Sequence, residues 1–125
     1  MWHTVKHIPR LETAEKEAEA QIGPDSPWFE GHFPDDPVVP GVAQLGMVLE
    51  ALRQLRQQSL TITEIRRIRF RRIIRPNEPI RIFTTETSGR VDTVGFRIMV
   101  DEEMVCNGMM VVKAANLTLG ENKRI

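Results

Sequence analysis

The stretch "PGVAQLGMVLEALRQLRQQS", residues 40–59, decides the fold. Its residues favour helix, and its length gives about five turns. Pro40 suits the first helical position, where its missing N–H would have no intrahelical partner anyway. Val42, Leu45, Met47, Val48, Leu49, Leu52 and Leu55 cover nearly the whole cylinder over the first turns. A helix with that pattern is buried on most sides. Only the end turns polar, with Arg53, Gln54, Arg56, Gln57 and Gln58. Such a helix needs a sheet wrapped around it.

The flanking sequence supplies the sheet. Upstream, "AEKEAEAQI" (14–22) has a helical composition but a strand alternation, with Ala14, Lys16, Ala18, Ala20 and Ile22 against Glu15, Glu17, Glu19 and Gln21. Helical spacing would scatter the alanines around the cylinder, so the pattern predicts a strand. Residues 23–40 hold five prolines and read as a long loop. Long loops in compact domains often carry function.

Downstream, "TITEIRRIRFRRII" puts Ile62, Ile68, Phe70 and Ile74 on one alternate set and Arg67, Arg69, Arg71 and Arg75 on the other. "RPNEP" is a turn, and "IRIFTTETS", "VDTVGFRIMV" and "MVCNGMMVVKAANL" follow as strands. The order is short strand, strand, loop, helix, then four strands in a meander. It predicts one α+β domain spanning residues 1–125, an antiparallel sheet curled round one long central helix. Apolar surface left on the sheet edge predicts a dimer.

Charge and cysteine usage narrow the function classes. The chain of 125 residues carries 17 basic and 17 acidic side chains, so net charge gives no reason to favour nucleic acid or a membrane. The distribution is uneven. Residues 11–36 hold eight acids against Lys16 alone, and residues 64–81 hold seven arginines against Glu64 and Glu78. These two segments read either as faces that meet on neighbouring strands or as a basic patch for an acidic partner. The single cysteine, Cys106, excludes an intrachain disulfide and reads as a small core residue. There is no signal-peptide pattern and no apolar run of about 20 residues, so a cytoplasmic protein is expected. No His/Cys/Asp/Glu cluster has metal-ligand spacing, and neither metal nor cofactor is expected.

Gly31-His32-Phe33-Pro34, followed by Pro37-Val38-Val39-Pro40-Gly41-Val42, resembles the signature of the 3-hydroxyacyl-(acyl carrier protein) dehydratases. "IRFRRIIRPNEPIRI" resembles the strand–turn–strand that follows the helix in that family, and "PGVAQL" resembles its ApeI-like branch, linked to aryl-polyene synthesis. The likeness covers roughly residues 14–115. It implies the hotdog fold, an acyl thioester on acyl carrier protein or coenzyme A as substrate, and His32 as the base that takes the proton beside the thioester carbonyl. It also implies a backbone N–H at Gly41 or Val42 that holds the thioester oxygen. The family's acid, a helix carboxylate from the other subunit, lies five residues after the Pro-Gly glycine. Here that residue is Gly46.

Imidazole is suited to His32's role, since its unperturbed pKa of about 6.5 lets it take and return protons near neutrality. Phe33 either packs under the loop or lines the acyl tunnel. Gln44 can hydrogen-bond a hydroxyl or a water but cannot supply a proton as an acid does. Glu50 lies one helical turn beyond Gly46 on the same face and is the candidate acid, with a solvated or salt-bridged residue as the alternative. Arg71 and Arg72 fall where the family carries basic residues near its tunnel and are expected to dock the carrier. His3 and His7 read as surface or strand residues. The missing carboxylate leaves three readings open: a dehydratase, an acyl thioesterase, and a non-catalytic acyl-binding or partner subunit that works in a hetero-oligomer with another hotdog chain.

Overall fold

The structure is a computed structural model, and it describes residues 3–8, 15–26, 39–87 and 90–115. In chain order the elements are β1 (Thr4–Ile8), β2 (Glu15–Gln21), α1 (Gly41–Arg56), β3 (Leu60–Phe70), β4 (Ile80–Thr87), β5 (Arg90–Val100) and β6 (Glu103–Ala114). All six strands form one antiparallel sheet in the order β1-β2-β4-β5-β6-β3. The strand expected over 14–22 is β2, and the single helix lies against the sheet as predicted.

The expected four-strand meander is corrected. Of the four strands after the helix, only β4, β5 and β6 follow one another as antiparallel neighbours, while β3 pairs with β6 and stands at the sheet edge. The reason lies in residues 71–79, which carry the chain across the sheet instead of turning it back. Val39 N–H donates to the Ile74 carbonyl at 2.7 Å, and Asn77 N–H donates to the Ile22 carbonyl at 2.8 Å. Those two bonds tie the crossing segment to the helix entry and to the end of β2.

The period of two is plainest in β5, where Val94, Phe96, Ile98 and Val100 are buried and Gly95, Arg97 and Met99 are partly exposed. The inner face runs across the sheet in register, as Ala18, Ile82, Ile98, Cys106 and Phe70 illustrate. On the outer face Phe83 is buried beneath Arg97 and Arg81, whose guanidinium carbons stand 4.0 and 4.9 Å from the ring centroid. Glu15 and Glu17 hold those arginines, at 3.0 Å to Arg97 and 2.9 Å to Arg81. Acidic β2 therefore meets arginines of β4 and β5. Arg81 is the last arginine of the 64–81 segment, so the two charged segments meet there on neighbouring strands, while the arginines of β3 lie at the far edge of the sheet.

β3 does not alternate as its sequence suggests. Its register with β6 slips between Ile62 and Glu64 and again between Arg66 and Arg69, and Arg67 takes a left-handed φ of 54°. Gly108 of β6 lies under this irregularity. A β-carbon there would stand 3.1 Å from both Ile68 Cα and the Phe96 ring.

The helix is also less evenly apolar than expected. It runs 16 residues, with Pro40 as the residue before its first turn. Ala43, Gln44, Met47, Val48, Ala51 and Leu52 are buried, whereas Val42 is exposed. The sheet covers one side only, so the opposite flank keeps its apolar side chains half exposed. Arg53 and Arg56 close the helix with cations in its last turn, where the dipole favours them. The Arg53 guanidinium donates to the Leu60 carbonyl at 3.0 and 2.7 Å, and Arg56 pairs with Glu86 at 2.7 Å.

Candidate active site at the helix start

The helix start is built from three anchors. Val39 and Ile74 are both buried, and the bond between them fixes the direction of entry. Pro40 is extended, with φ −67° and ψ 155°, and its carbonyl accepts from Ala43 N–H at 3.0 Å and Gln44 N–H at 3.2 Å. No side chain caps the helix, and its first turn holds no acid. Among the described residues, nothing accepts from the N–H groups of Gly41 and Val42. They are the donors that a helix start offers to an oxyanion, reinforced by the dipole.

Phe70 lies over this point. It ends β3 on the inner face, opposite Cys106. Its ring comes so close to Gly41 that a β-carbon there would stand 2.8 Å from Phe70 Cζ. Val42, Phe70 and Ile73 are the large exposed apolar residues, at 65%, 50% and 47% exposure. Of these, Phe70 and Val42 leave apolar surface beside the donors.

Gln44 is buried at 3% exposure, and its Oε1 has no hydrogen-bond partner among the described residues. It is a buried acceptor in the same first turn as the two donors. Gly46 faces open space: beyond its chain neighbours and the helix's own nearby backbone, no described atom lies within 4 Å of where its β-carbon would stand. Glu50 follows one turn later, half buried, with Gln54 Nε2 donating to its Oε2 at 3.2 Å.

His3 stands just before β1 and is partly buried, with Nδ1 buried and without a hydrogen-bond partner among the described residues. Burial pushes its pKa below the usual imidazole value, and the negative charge of Glu50 opposes that shift. Sequence reasoning placed His3 at the surface or in a strand. Nothing in "HTVKHI" signals that its ring nitrogen is buried.

Arg71 and Arg72 differ in their engagement. Arg71 is exposed, and its Nε donates to Asn107 Oδ1 at 3.0 Å. Arg72 is tied down between Glu78 at 2.8 Å and Glu103 at 3.0 Å. The hydrogen bond from Arg72 holds the Glu78 carboxyl below its usual range, and the Arg75 N–H adds to the effect. Cys106 is buried, and burial pushes its thiol up to about 11, as befits a core residue. His32 and Phe33 lie outside the described residues. No group of three or more metal-binding side chains occurs among the described residues, and no described helix is long and apolar enough to cross a membrane.

Relatives share this frame. The ApeI dehydratase family, ApeI-like, matches residues 9–109. The 3-hydroxyacyl-(acyl-carrier-protein) dehydratase FabZ of Caldicellulosiruptor bescii is 32% identical over 96 residues, covering 70% of this chain and 69% of that protein. The FabZ of Syntrophomonas wolfei is 33% identical over 97 residues, covering 67% of this chain and 65% of that protein. The fold matches the dehydratase heterocomplex ApeI:P from Xenorhabdus doucetiae with a TM-score of 0.73 at 22% identity, over 87% of this chain and 97% of that one. The helix laid on a six-stranded antiparallel sheet is thus the hotdog fold, and the chain belongs to the ApeI-like dehydratase family.

Proposed function

We propose that this chain dehydrates 3-hydroxyacyl thioesters to trans-2-enoyl thioesters. The observation that carries the reading is the uncapped, acid-free helix start, with the N–H groups of Gly41 and Val42 open beneath the ring of Phe70. A thioester carbonyl accepting from these donors would have its developing enolate charge stabilised where it forms. His32, ten residues before Val42 in the chain, takes the proton from carbon 2. Glu50 supplies the proton that leaves with the hydroxyl. Phe33, Gln44 and the space at Gly46 contact the substrate.

The substrate arrives on acyl carrier protein or as a coenzyme A thioester. The FabZ relatives bear the carrier in their names, and the apolar surface at the helix start suits a pantetheine-linked acyl chain. Arg71 and Arg72 offer positive charge to an acidic carrier. The working unit is a homodimer in the cytoplasm, with His32 of one protomer facing the helix of its partner. The direct test is formation of trans-2-enoyl product from a 3-hydroxyacyl thioester by the purified protein. His32→Ala should lower the rate by about 100-fold or more, and an unchanged rate would defeat the assignment.

The open surface at Gly46 favours a second reading, a partner subunit that binds acyl thioester and gains activity only beside another hotdog chain carrying the carboxylate. The ApeI of the fold match is part of a dehydratase heterocomplex, ApeI:P. A thioesterase would use the same donors for a tetrahedral intermediate, with water entering at Gly46.

A further inference from the structure

Of the six buried residues of α1, Gln44 alone is polar. It is 3% exposed, and its Oε1 meets no donor among the described residues. A buried acceptor left unpaired costs free energy that an apolar side chain of the same shape would spare. Its buried neighbours on the helix, Ala43, Met47 and Val48, have no polar side-chain group to hold a water beside it. Helix side chains three apart share a face, and each leans back over the turn before it. Gln44 accordingly leans over Gly41, which brings no side chain to that turn. The amide thus stands between the open N–H groups of Gly41 and Val42 and the apolar side chains of the next turn.

We propose that Gln44 determines specificity for the 3-hydroxyl group: its Oε1 accepts the O–H of that hydroxyl while the N–H groups of Gly41 and Val42 hold the thioester oxygen. The assignment rests on the dehydratase reading and deepens it. In a 3-hydroxyacyl thioester only carbon 2 separates the carbonyl from the carbon that bears the hydroxyl. One acceptor and one donor on so short a segment match backbone donors at a helix start and an acceptor one turn on. The hydroxyl is also the donor that sets this substrate apart, since saturated, enoyl and 3-oxo acyl chains have none to offer Oε1 at that carbon.

A neutral amide suits the place better than an anion. A carboxylate would accept from the hydroxyl equally well, but its charge would oppose the negative charge that builds on the thioester oxygen. The departing oxygen leaves as water and stays a donor throughout, so the bond to Oε1 is kept from ground state to transition state. Such a bond raises affinity for the substrate and leaves the chemical step little changed. Once the water has gone, the enoyl product has nothing to offer Oε1.

Calorimetric titration of the purified full chain with three unreactive probes tests the assignment. The probes are 3-hydroxyhexanoyl, hexanoyl and 3-oxohexanoyl pantetheine, each with nitrogen in place of the thioester sulfur. Wild type should bind the hydroxyl probe about tenfold or more tightly than the other two. Gln44→Leu and Gln44→Met should lose that preference and melt no lower than wild type, because an unpaired buried acceptor has gone. In steady-state dehydration both variants should raise KM by about tenfold with kcat little changed. Equal binding of the three probes by wild type, or a preference that survives in both variants, would overturn the assignment and leave the dehydratase reading standing. Melting points lowered by several degrees in both variants would overturn it too, by marking Gln44 as bonded within the fold. Failure to bind any probe would also overturn it. A hydroxyl preference that vanishes in the variants of a chain with no dehydration activity would uphold the contact and defeat the dehydratase reading instead.

Discussion

The ring of Phe70 lies over Gly41, so near that a β-carbon there would stand 2.8 Å from the ring tip. Sequence alone puts these residues 29 positions apart, in a strand and at a helix start. The closeness explains why the helix opens with glycine although alanine is the better helix former. Gly41→Ala should cost little stability, since the tip of a half-exposed ring can swing away and the helix gains about 0.5–1 kcal/mol in propensity. It should still lower dehydration by about tenfold or more through the displaced ring. A parallel melt and assay would check this, and the second substitution Phe70→Ala should relieve the clash without restoring the rate.

Gly108 presents the opposite case. Its would-be β-carbon meets the backbone of β3 at Ile68 and Arg66 and the buried ring of Phe96, none of which can yield cheaply. Gly108→Ala should destabilise the fold by about 1–3 kcal/mol. In a thermal melt that is a drop of roughly 5–15 °C. A midpoint within a degree of wild type would mean that β3 adjusts freely over its irregular register.

Stability should depend on acid pH through Glu78. Its carboxyl is held below the usual value of 4.5 by Arg72 and by the Arg75 N–H. A depressed folded-state pKa makes its contribution fully present above the ordinary carboxylate value. That contribution is lost as pH falls through the lower folded value. Denaturant titrations of wild type and Glu78→Gln should differ at neutral pH and converge in strong acid. Curves that stay parallel down to low pH would remove Glu78 from the account.

Much of the fold was legible because binary pattern and chain breaks carry it. The period of two in β4, β5 and β6 and the apolar run after Pro40 carried the elements, while most of the loop read over 23–40 lies outside the described residues. Two features were not legible. One was the place of β3 at the far edge, which depends on bonds from Val39 to Ile74 and from Asn77 to Ile22 that no local pattern encodes. The other was which side of α1 is covered: leucine-rich spacing put Val42 inside, whereas Gln44 is the buried residue. At the site, the glycine and proline signals at 40–41 and the missing carboxylate at Gly46 were visible. The burial of His3 Nδ1 was not, because it arises from packing that no local pattern encodes.

Carrier docking should separate the two arginines. Arg71→Glu reverses an exposed charge and should weaken activity on carrier-linked substrate while sparing a pantetheine thioester. Arg72→Glu breaks the pairs with Glu78 and Glu103 and should also lower the melting temperature. Raised salt should mimic Arg71→Glu, because exposed charges are screened beyond about 10 Å at ~0.1 M. Equal losses on both substrates for Arg71→Glu would assign this residue to the fold and not to docking.

The central claim is that this chain adds and removes water across carbons 2 and 3 of an acyl thioester. The most direct measurement incubates the purified protein with a trans-2-enoyl thioester in water carrying heavy oxygen and locates the label by mass spectrometry. The reverse of dehydration places heavy oxygen on the carbon 3 hydroxyl of an intact thioester, and His32→Ala should abolish it. Label in a free carboxylate would mark a thioesterase, and no label at all would mark a binding or partner subunit; either result contradicts the account.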